Sequence, residues 1–181
     1  MAQPAVGTKH RKRFERWQSR VGPQTRHLSA LVAAGASLRL EQAGFQLVDN
    51  RLQGSGSAID PNDLRFERVV GDQIDVVQFS FEKYDQPRFQ VWISREFSAP
   101  PNDFVRTASL VKRQSQYVYF WGKPWGLPLV LWPNHCSTST VKSVIEKLEQ
   151  ALLFLDTGER GPNISSTPNV NPLKTGKSST D

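Results

Sequence analysis

The chain has 181 residues, 38% hydrophobic, 10% aromatic and 22% charged, and its 23 Lys and Arg against 17 Asp and Glu give a net charge of +6. A chain of this size has room for one core of about 130 residues, which needs no staples, and its apolar fraction excludes a wholly disordered protein. One cysteine, Cys136, excludes an internal disulfide framework and a multi-cysteine metal site, and no run of about 18 apolar residues is present to span a membrane.

Residues 1–8 carry no periodic pattern and are expected to be disordered. Residues 9–26 concentrate the charge: Lys9, Arg11, Lys12, Arg13, Arg16, Arg20 and Arg26 stand against one acid, Glu15, so the remaining 16 basic and 16 acidic residues cancel. The positive balance is therefore a property of one segment, and residues 1–23 read as a basic, largely disordered arm. Thr25 is a candidate N-cap for a helix reaching Ala43, with Gly44 where a left-handed terminal glycine belongs. Gly35 inside that helix costs about 1 kcal/mol relative to alanine and marks a place for a break. Leu28–Leu38, small and apolar after a basic stretch, has some character of a secretory signal. Ser29, Gly35 and Ser37 dilute it, and an amphipathic helix is the better reading, so a cytoplasmic location is expected.

A strand at Phe45–Leu52 and a soft loop at 54–63 come next. Leu64–Val70, Gln73–Lys83 and Arg88–Phe97, separated by turns at Gly71-Asp72 and Tyr84–Pro87, read as three antiparallel strands. Val77, Phe79 and Phe81 share one face of the second, and Phe89, Val91 and Ile93 one face of the third. The opposite face carries Gln78, Ser80, Glu82, Arg88, Gln90, Trp92 and Ser94 and is expected to be wet. Residues 103–114 fit either a short helix or a strand, and Tyr117–Trp121 fits a strand. A Trp- and Pro-rich loop, Gly122–Pro133, precedes a helix over Val141–Leu155, capped by Ser139 or Thr140, with Val144, Ile145, Leu148 and Leu152 in its apolar stripe. Residues 159–181 are polar and expected to be disordered. The prediction is thus one α+β domain over 24–158: an antiparallel sheet of four to six strands in two layers, one face covered by an N-terminal and a C-terminal helix.

Catalytic chemistry finds little support. His135-Cys136 is the one pair suggestive of a nucleophile and base, but neighbours in sequence usually point apart. His10, His27 and His135 have no metal-ligand spacing. Asp72, Asp75, Glu82 and Asp85 read as solvated turn or sheet-face residues. GSGS at 54–57 lacks the lysine and context of a phosphate loop. Asn163 begins a glycosylation sequon that carries no weight without a signal peptide. No catalytic, cofactor-binding or metal-binding residue is assigned.

Two binding surfaces remain. In the arm, Lys9, Arg11, Lys12, Arg13, Arg16 and Arg20 could neutralise phosphates, with Phe14 and Trp17 stacking on bases. The i, i+3 spacing of Phe14 and Trp17 equally suits a helix docked on the core. On the sheet and its loop, Arg88, Gln90, Trp92, Trp125 and Trp132 are candidates for a protein interface, where Trp and Arg serve as anchors.

The stretch GFQLVDNR, the meander LRFERVVGDQIDVVQFSFEKYDQPRFQVWISR, the later YVYFWG and a terminal helix resemble small bacterial domain-of-unknown-function families built as helix, "GF" strand, antiparallel meander and helix. Members are often found near toxin genes as suspected immunity or accessory proteins. The resemblance covers residues 30–155, supplies no catalytic residues, and implies a bacterial, non-enzymatic binding protein with a protein partner. The alternative expectation is a nucleic-acid-associated protein using the arm, with an enzyme whose site shows no motif as the third, and oligomeric state is left open.

Overall fold

Alternation of apolar residues at period two builds the middle of the molecule, and period 3.6 builds its two ends. The computed structural model describes residues 8–49, 59–82, 86–97, 104–112, 118–122 and 133–165. In chain order they form helices α1 (Thr8–Gln18) and α2 (Pro23–Gln42), strands β1 (Gln46–Leu47), β2 (Asp63–Val70), β3 (Gln73–Phe81), β4 (Arg88–Phe97), β5 (Phe104–Leu110) and β6 (Phe120–Trp121), helix α3 (Pro133–Thr157) and strand β7 (Ile164–Ser165). The chain is an α+β protein whose antiparallel sheet runs β1-β2-β3-β4-β5-β7, with β6 also paired to β4.

The long strands β2 to β5 pair in sequence order, as a meander should. Registers such as Leu64↔Phe79↔Val91↔Leu110 and Phe66↔Val77↔Ile93↔Ala108 put apolar rows on one face. That face packs beneath Leu28, Val32, Ala36 and Leu40 of α2 and Val144, Leu148, Ala151 and Leu155 of α3. Each such Val, Leu, Ile or Phe side chain contributes about 1.5–3 kcal/mol by leaving water.

Several boundaries differ from expectation. Thr25 is not the N-cap: Gly22 holds that position with Pro23 at the first turn, where proline's missing N–H and fixed φ cost nothing. Gly44 does take the left-handed conformation, at φ 83°. Gly35 does not break α2. It lets α3 come close, since a Cβ there would lie 3.3 Å from Ile145 Cδ1. Residues 104–110 are a strand, with a bulge where Arg95↔Arg106 gives way to Glu96↔Phe104. α3 starts two turns earlier than Val141.

Both ends need correction. Residues 8–18 are not a free arm but helix α1, because His10, Phe14 and, beyond the helix, Val21 are buried. The first residues of the expected tail are placed too. Ile164 is buried, and the Asn163 side-chain amide donates to the carbonyls of Val111 and Lys112, so the chain joins the sheet beside β5 as β7. The loop at 54–58, Asp85, Trp125 and Trp132 lie outside the described residues, as does the side chain of His135.

Candidate functional site

Helix α1 is held at three places. At its start, the His10 backbone N–H donates to the Asp49 carboxylate, which satisfies one of the free donors of a helix N-terminus. Midway, Phe14 and Trp17 close a ring cluster with Phe81 of β3, with centroids 5.4 to 5.8 Å apart. At its end, the Arg26 guanidinium donates to the carbonyls of Gln18, Ser19 and Val21. These bonds cap the last carbonyl of α1 and those of the turn beyond it, and fix the corner into α2.

The imidazole of His10 lies under the helix with no exposed surface. Its Nε2 is 2.6 Å from the Asp63 carbonyl oxygen, which can only accept, so the proton sits on Nε2. Nδ1 has no partner. Burial pushes the ring's pKa down from 6.5, against the pull of the Asp63 carbonyl, and nearby Arg13 lowers it further while Asp49 opposes. The ring is neutral at pH 7.

The docked stripe His10, Phe14, Trp17 dictates where the remaining side chains go. At about 100° per residue, Lys9, Lys12, Arg13 and Arg16 fall within an arc of about 100°, roughly 120° round the helix from that stripe. Lys9, Lys12 and Arg16 are exposed and Arg13 half-exposed, and Arg11 and Arg20 are exposed nearby. Among the described residues these six cations form no ion pair, nor does Glu15, the one acid of the helix. Of the two expectations for Phe14 and Trp17, the docked helix holds and the stacking role does not. Phe14 is buried and offers no face to a base, and Trp17 is half-buried with its ring engaged by Phe14 and Phe81.

The expected sheet-face interface is less open than its pattern suggests. Arg88, Gln90 and Trp92 are each half-buried. Arg88 is occupied: it pairs with Glu82 at 2.7 Å and lies over the rings of Tyr119 and Trp121. Elsewhere on this face Asp63, Arg65, Glu67, Val76, Ser94 and Glu96 are buried. Arg65 reaches Glu67 on its own strand and Glu96 two strands away at 3.3 Å, and Ser94 donates to Glu96 at 2.7 Å. This face is a connected polar network rather than a wet surface.

Asp75 also departs from expectation. Completely buried on the helix-covered face, it receives hydrogen bonds from Arg95 and Arg68. Its bond holds Arg95 even more firmly charged than usual. Arg68 also pairs with Asp156 of α3, donates to the Ala43 carbonyl and lies over Phe45. Arg106 caps the C-terminal carbonyls of Phe154 and Leu155. This cluster fastens α2 and α3 to the sheet. With Arg68 engaged here and Arg65 and Arg88 paired on the opposite face, these three do not extend the α1 cations into a larger positive surface.

Among the described residues no group of His, Cys, Asp and Glu is arranged to hold a metal, and no helix is long and apolar enough to cross a membrane. No family model, no curated protein and no solved structure matches this chain, so these comparisons do not bear on the family resemblance.

Proposed function

We propose that the protein binds nucleic acid through the outward cations of α1, with no catalytic step of its own. The carrying observation is that Lys9, Lys12, Arg13 and Arg16 share one side of a helix fixed to the core, with no acidic partner among the described residues. Fixed cations on a structured element lose little freedom on meeting phosphates, and counterion release supplies the affinity. A bilayer surface suits α1 poorly. Interfacial helices bury an apolar face in lipid, and the apolar stripe of α1 is already spent on Phe81 and its neighbours.

The test compares charge removal on and off the helix by fluorescence anisotropy with a labelled mixed-sequence oligonucleotide. Lys12→Gln with Arg16→Gln should weaken binding by tenfold or more at low salt, on the order of one counterion-release contact per charge. Lys142→Gln with Arg160→Gln removes the same charge from exposed positions elsewhere and should change it little. Equal losses from both pairs would reduce the interaction to net charge. Tighter binding to anionic vesicles than to the oligonucleotide would replace the reading.

A second reading, a protein partner, has its own observation. Val69, Val70, Phe97, Phe104 and Val105 are exposed, and the rows Val70↔Gln73↔Phe97 and Val69↔Ile74↔Glu96↔Phe104 bring them to one end of the sheet. Exposed apolar clusters of this kind mark interaction surfaces. Val69→Ser with Phe104→Ser should abolish capture of such a partner and leave oligonucleotide binding untouched.

A further inference from the structure

We infer that the ligand of α1 is the phosphate backbone of a duplex, gripped without base stacking or sequence reading. This rests on the nucleic-acid reading and narrows it. Single-strand binders draw affinity from aromatic platforms on which bases stack. The two aromatics of α1 are closed against Phe81, Phe14 with 3% of its surface exposed. Nor can the helix adapt to a flexible strand, because the Asp49 carboxylate holds its first turn and the Arg26 guanidinium its last carbonyl and the turn beyond it.

Charge density points the same way. From Lys9 to Arg16 the helix rises about 10 Å. Over that length a duplex presents about six phosphates and one strand about three, from spacings of about 1.7 and 3.4 Å. Four cations on that span are matched by the duplex and exceed the single strand. The outward arc carries Lys and Arg alone, which meet phosphate oxygens in any sequence; their one regular base partner is guanine, and no Asn or Gln to read adenine shares the arc.

The experiment titrates the full chain with a duplex and a single strand of equal length across about 50 to 200 mM salt. Four phosphates neutralised on the duplex give a slope of log affinity on log salt near −3.6 and a loss of about 150-fold over that range. Three on a single strand give a slope near −2.1 and a loss of about 20-fold. The duplex should bind more tightly at low salt, A·T-rich and G·C-rich duplexes should agree within about threefold, and Lys12→Gln should flatten the duplex slope by about 0.9. A single strand that binds more tightly than the duplex, with the Lys12 and Arg16 dependence intact, overturns the duplex inference and leaves the nucleic-acid reading standing. Absence of binding to either at about 50 mM salt overturns both.

Discussion

At His10 burial acts against the protonated ring. The neutral imidazole donates once, to the Asp63 carbonyl, and protonation would add a second donor at Nδ1, which has no acceptor. The pKa in the folded protein is lowered, chiefly by desolvation. The unfolded or undocked chain therefore takes up the proton first. Stability is fully present above about pH 6.5 and falls as the pH drops from there toward the folded value. The thermal midpoint should fall more steeply between pH 7 and 5, on the order of the usual His titration range, for the native chain than for His10→Gln. Parallel pH profiles would show that His10 is not the responsible group. Asp75 is a different case: a buried carboxylate serving Arg68 and Arg95 together. Asp75→Ala leaves two guanidiniums without it and should cost about 3–5 kcal/mol in denaturant unfolding, whereas an exposed pair such as Arg39–Glu149 should cost at most about 1 kcal/mol.

Among the elements, the strands were the legible part and the helix ends were not. Alternation in Val77, Phe79, Phe81 and Phe89, Val91, Ile93 reports burial against one side, and the register confirms it. The same parity places Asp75 in phase with Val77, so its burial could have been read from the sequence. An acid in an apolar phase without a visible partner suggests solvent until Arg68 and Arg95 are brought beside it by strand pairing. The opposite face was misjudged for a related reason: Arg65, Glu67 and Glu96 look solvated one at a time, and only the sheet makes them a network. For α1 the signal was present, since His10, Phe14, Trp17 and Val21 recur at helical spacing and Phe14 with Trp17 already suggests a docked helix, but the surrounding charge suits a free arm as well. Its docking makes a prediction that a free arm would not. Deleting residues 1–22 removes buried His10, Phe14 and Val21 and should lower the melting temperature by several degrees or more, from a loss of about 3–5 kcal/mol for Phe14 alone if its cavity stays open. An unchanged midpoint would return the segment to the status of a tail. Close packing at Gly122 gives a local counterpart. A Cβ there would meet Ser137 Oγ at 2.8 Å and Leu28 Cδ2 at 3.0 Å, so Gly122→Ala should destabilise by about 1–3 kcal/mol.

For the whole molecule, the division of charge is the organising fact. Residues 9–26 carry +6 and the rest of the chain sums to zero, and within that neutral remainder the described arginines of the sheet are largely committed to acids and carbonyls. Among the described residues, six cations without an ion pair are thereby gathered on and just beyond one docked helix, a placement that composition alone cannot separate from a flexible basic tail. Amide hydrogen exchange in the free and the duplex-bound protein tests both halves of this account at once. The account predicts that α1 amides exchange slowly in the free protein, as those of a packed helix do. It also predicts that Lys12 to Arg16 slow further on binding while β2 to β5 do not change. Coil-like exchange of α1 in the free protein, or slowing on the sheet instead of α1 when the duplex binds, would contradict it.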